Sequence, residues 1–215
     1  MGRPTLLVFA KPPRIGLSKT RLAKGIGPAA ARRIAGFTQA RTFRAATQSG
    51  CNTIIYAAPD SALRTVTTTD WPAHLPRRSQ GHGTLTERLE KGFNEAPPGP
   101  ILFIGTDAPD VSAALLRQAV RLLARHDAVF GPAEDGGFWL FGINKGPRTH
   151  SPFRNVRWSG PHAMQDVWSN LPSHANIGLL PMLMDIDQLS DWRAWSRRQH
   201  TWRPPAIHRK KLEGH

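Results

Sequence analysis

The chain has 215 residues, with 29 Lys or Arg against 15 Asp or Glu, a formal charge of +14 and a hydrophobic fraction of 40%. That content fills one α/β core, and the longest apolar stretches are strand-sized, so neither a membrane span nor a signal peptide is expected and the expected compartment is the cytoplasm. A single cysteine, Cys51, excludes an intrachain disulfide and a multi-cysteine zinc site.

Thr5 to Ala10 is an apolar run stopped by Lys11-Pro12-Pro13, the pattern of a buried strand running into a loop. The loop carries Lys11, Arg14, Lys19 and Arg21, with Gly16 among them, where the backbone can approach a ligand. Four such cations can neutralise a di- or triphosphate through charge-assisted hydrogen bonds; a solvated basic loop is the plain alternative. The spacing matches neither GxxxxGK[ST] nor GxGxxG, which disfavours P-loop ATPase and dinucleotide chemistry.

Pro28 to Gln48 reads as a helix with Ala31, Ile34, Ala35, Thr38 and Ala45 as a weak buried stripe and Gly50 as its stop. Thr53 to Ala58 is a second strand, 60–70 a short helix, and Thr84 to Glu95 a helix with Leu85, Leu89 and Phe93 expected in the core. Ile101 to Gly105 is a central strand ending at Asp107. A carboxylate there sits where open α/β sheets bind ligands and offers hard oxygens to Mg²⁺ or Mn²⁺; capping of a following helix is the alternative. Ser112 caps a helix that carries Leu115, Leu116, Ala119, Leu122 and Leu123 to Arg125. Ala128 to Gly131 and Phe138 to Ile143 are strands flanking Glu134, Asp135, Gly136 and Gly137, which suits a hairpin turn or a ligand loop. Asn144 to Arg157 is expected as a loop over substrate, with Gly160 to Asn170 and Leu189 to Gln199 as helices. Alternation of Met182, Met184 and Ile186 against Leu183, Asp185 and Asp187 puts both carboxylates on one face of an extended segment, although Asp187 and Asp191 also suit a helix start. Residues 200–215, basic and rich in proline, are expected to form a poorly ordered tail.

The basic residues are dispersed, without a nucleic-acid-binding motif, so a nucleic acid partner is not expected; anionic substrates account for the basic loop. Six ordered blocks carry a resemblance: Phe9 to Leu22, Gln80 to Arg88, Gly105 to Val111, Gly131 to Leu140, Trp158-Ser159-Gly160 and Asp185 to Trp192. Together they resemble a bacterial transferase family, DUF2064, of the glycosyltransferase A (GT-A) superfamily. The family is related in fold to the molybdenum-cofactor guanylyltransferases and the phospholactate guanylyltransferases.

The resemblance implies a single GT-A domain over residues 1–199, a three-layer α/β sandwich with a mostly parallel sheet. It implies a Mg²⁺- or Mn²⁺-dependent transferase using a nucleotide donor and a small-molecule acceptor, with nucleotidyl transfer slightly ahead of glycosyl transfer and a non-catalytic nucleotide-binding protein as the lesser alternative. In that reading Lys19, Arg14 and Asp135 are catalytic, and Lys11, Gly16, Lys19, Arg21, Gln80 and Gly81 bind nucleotide or phosphate. Gly136, Gly137, Trp158 and Ser159 meet the acceptor, and Asp107, Asp185 and Asp187 hold the metal. Thr84 and Thr86 stand where the family pattern has Asp and Gly, and Phe138-Trp139 where it has Tyr with Tyr or Phe.

Overall fold

A computed structural model of the chain describes residues 3–67 and 70–201. Its elements are β1 (Thr5–Ala10), α1 (Thr20–Ile26), α2 (Pro28–Gln48), β2 (Asn52–Ala57), α3 (Ala62–Thr65), β3 (Arg77–Ser79), α4 (Leu85–Glu95), β4 (Gly99–Ile104), α5 (Ala113–Leu123), β5 (Ala128–Pro132), β6 (Phe138–Lys145), α6 (Ala163–Ser169), β7 (Ile177–Leu179) and α7 (Leu189–Thr201). The strands form one sheet in the order β3-β2-β1-β4-β6-β5-β7. Only the β4–β6 and β5–β6 pairings are antiparallel, so the sheet is mostly parallel with β6 reversed.

Period-two alternation divides the core into two layers. Leu6, Val8, Ile55, Leu102 and Ile104 face Phe43 and Ala46 of α2 and Leu116 and Ala119 of α5. Leu7, Tyr56, Ile101, Phe103 and Phe141 face Leu89 and Phe93 of α4 and Ala163 and Val167 of α6. Strands apolar on both faces need cover on both faces, which gives the three-layer α/β sandwich. A third cluster ties Leu22 of α1 to Ile34 of α2, Trp195 of α7, and Met184 and Ile186.

The chain leaves β1 toward β2 on one side and leaves β4 toward β5 on the other, so the sheet order reverses between these two neighbours. Their carboxyl ends therefore open onto the crevice where doubly wound sheets hold ligands. Residues 11–19 follow β1 and residues 105–108 follow β4 at that edge.

Several expectations need correction. Thr20–Ile26, whose first residues were read as part of the basic loop, form α1, and β3 and β7 were not anticipated. Both strands have only three residues, too short for a readable period. The Met182–Asp187 segment is not a strand; it makes a single bridge, Leu183 to Ala133. Met184 and Ile186 are buried as the alternation requires, whereas Met182 is exposed. Leu85 is exposed rather than part of the core. The 144–157 segment does not lie over a cavity as a whole: Phe153 and Val156 are buried in the second core layer. The tail expected over residues 200–215 falls outside the described residues beyond Thr201, through which α7 runs. Among the described residues, no helix is long and apolar enough to cross a membrane.

Candidate active site

Lys19 is the N-cap of α1 and adopts a left-handed backbone, φ 53° and ψ 39°, which costs energy for a side chain with a Cβ. That turn aims its ammonium inward, where the side chain is 4% exposed. Nζ donates to Asp107 Oδ1 and to the carbonyl of Ile186, and lies 3.5 Å from Asp187 Oδ1. In the first turn of the same helix, Arg21 donates to Asp187 Oδ2 at 2.8 Å. The basic loop after β1 thus meets the acid after β4 and the acid before α7 at one point.

Ile186 also donates its backbone N–H to the Asp107 carbonyl, which stitches the 185–187 segment to the end of β4. The Asp187 and Gln188 N–H groups donate to Asp191 Oδ2 at 3.0 and 2.8 Å. The start of α7 is therefore capped by Asp191, and the Asp187 carboxylate is left for Lys19 and Arg21. Ser112, not Asp107, caps α5 by accepting the Leu115 N–H. The capping alternatives for Asp107 and Asp187 therefore do not describe these side chains.

Asp185 faces the same cavity. Burial first, then the negative charges of Asp107 and Asp135, raise its carboxyl to about 8, with Lys19 opposing the rise. The carboxylates thus sit near enough to repel one another. Among the described residues, no three His, Cys, Asp or Glu side chains stand close enough together to hold a metal ion as they lie. The ammonium of Lys19 instead bridges Asp107 and Asp187. The donors are carboxylate oxygens without thiol or imidazole, the chemistry that suits a hard divalent cation.

These groups line a cavity of about 700 Å³ shared by Lys11, Lys19, Arg21, Asp107, Asp135 and Gly137, among others. Asp135 Oδ1 accepts the Gly137 N–H at 2.9 Å in the turn between β5 and β6, so the hairpin and ligand-loop readings of this segment coincide. Gly136 has φ 87°, and a Cβ there would lie 2.4 Å from the Pro161 carbonyl oxygen. It packs this turn against Pro161, just after Trp158-Ser159-Gly160, without lining the cavity. Ser159 is left-handed as well, with φ 63°, and lines the cavity with Trp158 and Gly160. The Trp158 indole N–H donates to Thr86 Oγ1 at 2.8 Å, and Thr86 in turn donates to the Phe153 carbonyl. Thr86, where the resemblance expects glycine, thus supplies a hydrogen bond that orients Trp158. Thr84 forms a capping box with Glu87 at the head of α4.

Other expected residues lie elsewhere. The Arg14 guanidinium donates to the Thr65 carbonyl at 2.7 Å and does not line the cavity, nor do Gly16 and Gly81. Gln80 does line it, but its amide nitrogen donates to the carbonyls of Ala10 and Tyr56, tying off the ends of β1 and β2. The cavity also gathers Phe9, Phe103 and Phe138, which were read only as residues of strands, and Leu85 and Arg88 of α4. Their signal was the spacing of Leu85, Arg88 and Leu89, which share one helix face at i, i+3 and i+4.

In three dimensions the chain is similar to a protein from Desulfovibrio desulfuricans G20 provisionally named a nucleotide-diphospho-sugar transferase, with TM-score 0.84, 24% identity, 94% of this chain and 89% of that chain covered. It is similar to Rv0371c of Mycobacterium tuberculosis H37Rv, determined in complex with manganese, with TM-score 0.55, 16% identity and coverage of 90% and 97%. It is also similar to a nucleotidyl transferase from Methanothermobacter thermautotrophicus, with TM-score 0.60, 15% identity and coverage of 93% and 98%. At these identities the likeness concerns the fold, which is the GT-A one. No curated protein matches the sequence. Residues 41–160, more than half of the chain, match the model of a family described as an uncharacterized protein conserved in bacteria, and the chain belongs to that family, DUF2064.

Proposed function

We propose that the chain is a divalent-metal-dependent transferase that takes a nucleotide donor and passes a nucleotidyl group to a small phosphorylated acceptor. The observation that carries this reading is the convergence of Lys19 and Arg21 with Asp107 and Asp187 at the carboxyl edge of β1 and β4. Charge-assisted donors and hard oxygen donors at one point suit a polyphosphate and its cation.

Asp107, Asp185 and Asp187 are the residues that would hold Mg²⁺ or Mn²⁺, and the ion would supply neutralisation of phosphate charge. The chain's own groups do the rest by position and electrostatics. Lys19, now engaged by carboxylates, would turn its ammonium onto the donor phosphates, while Arg21 and the exposed Lys11 neutralise charge that grows on the leaving group. An acceptor phosphate oxygen would attack the α-phosphorus, and the bond from that phosphorus to the pyrophosphate oxygen would break, releasing pyrophosphate. Asp135, Gly137, Trp158 and Ser159 would bound the acceptor, with Asp135 as a general base or an acceptor contact. The fold and the manganese and nucleotidyl transferase names of its neighbours support this reading.

Glycosyl transfer from a nucleotide sugar is the second reading, and one observation favours it. Arg14 is committed to the Thr65 carbonyl, so the basic loop brings three of its four cations, Lys11, Lys19 and Arg21, to the cavity, and a diphosphate leaving group needs fewer. The choice is tested by ³¹P NMR of each donor class incubated with Mg²⁺, protein and a panel of phosphorylated and hydroxyl acceptors. Pyrophosphate from a nucleoside triphosphate supports nucleotidyl transfer; nucleoside diphosphate from a nucleotide sugar supports the alternative.

A further inference from the structure

Among the described residues, two buried side-chain polar atoms have no hydrogen-bond partner, Ser18 Oγ and Arg88 Nε, and both residues line the 700 Å³ cavity. Ser18 adjoins Lys19 and belongs to the phosphate-binding loop already described. Arg88 belongs to a different wall. It sits on α4 between Leu85 and Leu89, which line the cavity with it, in a helix whose remaining inward positions are apolar.

Aromatic groups flank it on the same helix. Thr86, two residues earlier, holds the Trp158 indole at 2.8 Å. Gly92, one turn later, receives the Phe9 ring so closely that a Cβ would lie 2.9 Å from the ring's Cζ. The cavity's acids do not serve Arg88: Asp107 and Asp187 are taken by Lys19 and Arg21, Asp135 accepts from Gly137, and Asp185, the fourth carboxylate of the lining, makes no ion pair with Arg88.

Arg88 is half-buried, with Nε the atom closed off from solvent; a guanidinium keeps its charge there, and a buried donor without an acceptor is costly. Its planar fork matches the paired oxygens of a phosphate or carboxylate. We propose that Arg88 anchors an anionic group of the acceptor substrate, a phosphate or a carboxylate, in the aromatic-walled part of the cavity formed by α4 and the Trp158 loop. Two sets of cations on two walls then receive two anionic parts: the donor polyphosphate at Lys19 and Arg21, and the acceptor anion at Arg88. This rests on the nucleotide-donor reading above, and the test keeps the two separate.

The test is isothermal titration of the full chain, wild type, Arg88→Gln and Arg88→Lys, with inorganic phosphate, glycolate and 2-phosphoglycolate, alongside each of the four nucleoside triphosphates with Mg²⁺. The expected result is that wild type binds 2-phosphoglycolate and that Arg88→Gln weakens it about 10- to 100-fold. Arg88→Lys, which keeps the charge without the fork, should fall between. Triphosphate affinity should change less than about threefold, since those phosphates belong to the other wall. The phosphate and glycolate arms tell which oxyanion the fork holds.

Failure of wild type to bind any of the three anions, or equal binding by wild type and Arg88→Gln, overturns the proposal. So does a parallel loss of triphosphate affinity, which would give Arg88 to the donor. If Arg88→Gln fails to fold, Arg88→Lys decides, with an unchanged anion affinity counting against the fork. Anion binding that depends on Arg88 while no triphosphate binds would leave this inference standing and remove the nucleoside triphosphate as donor.

Discussion

Lys19 and Asp107 form an ion pair of unequal exposure, the lysine side chain 4% and the aspartate 49% accessible to solvent. The cation is held inside while its partner still reaches the cavity. Lys19 thus supplies the positive charge between the Asp107 and Asp187 carboxylates.

Replacing Lys19 by Met removes that charge and leaves Asp107 and Asp187 to attract another. The expected outcome is a gain of about tenfold or more in Mn²⁺ affinity without nucleotide, read by electron paramagnetic resonance, together with a loss of turnover of about 10²- to 10³-fold. Manganese affinity equal to that of wild type would show that the ammonium does not compete for these carboxylates.

Gly136 and Gly16 make a controlled comparison. Both have φ above 80°, but a Cβ at Gly136 would lie 2.4 Å from the Pro161 carbonyl oxygen, whereas nothing lies within 4 Å at Gly16. Gly136→Ala should destabilise the protein by about 3 kcal/mol or more and Gly16→Ala by about 1 to 2 kcal/mol, measured by urea unfolding. Equal costs would mean that backbone conformation alone decides.

Thr86→Val deletes the oxygen that accepts the Trp158 indole N–H, leaving a part-buried donor unpaired. A loss of about 1 to 2 kcal/mol in urea unfolding is expected, with a changed near-ultraviolet circular dichroism signal from Trp158. Thr86→Ser, which keeps the oxygen, should restore both.

The loop that carries Trp158 is fastened by an ion pair sensitive to acid. Asp166 accepts from the Arg157 side chain at 2.9 and 2.7 Å and from its backbone N–H at 2.9 Å, and these bonds hold its carboxyl down at about 2. A carboxyl whose folded value lies below its unfolded value adds stability above the unfolded value, near 4, and that contribution fades as pH falls toward 2. Asp166→Asn should therefore flatten the acid limb of the stability profile between about pH 4 and 2. An unaltered limb would place the acid sensitivity elsewhere.

Much of the architecture was legible because its signals are local and strong. The β1 and α2 bounds follow from an apolar run ended by Lys-Pro-Pro and from a helix bracketed by Pro28 and Gly50. Ser112 caps α5 through its own hydroxyl, as its position before an apolar stripe suggested, and Thr84, read as the first residue of α4, caps that helix. Helix α1 was not legible, since Lys19 starts it from a left-handed conformation without a capping side chain. Alternation placed Asp185 and Asp187 toward one side although the segment is no strand, because burial of Met184 and Ile186 enforces the same two-residue period. Arg14 was misplaced because a loop's spacing does not say which way each side chain turns. Arg88 closes the Gln80 to Arg88 block but was given no role, because one arginine among leucines gives no sign, in sequence, that its Nε meets no partner.

The measurement that tests the central claim most directly is the thermal shift of wild type and Asp107→Ala with each nucleoside triphosphate and nucleotide sugar, in Mg²⁺, Mn²⁺ or EDTA. The account predicts that wild type is stabilised by a nucleotide only when metal is present and that Asp107→Ala loses this shift while keeping its own melting transition. A shift of equal size in EDTA, or one retained by Asp107→Ala, would contradict it.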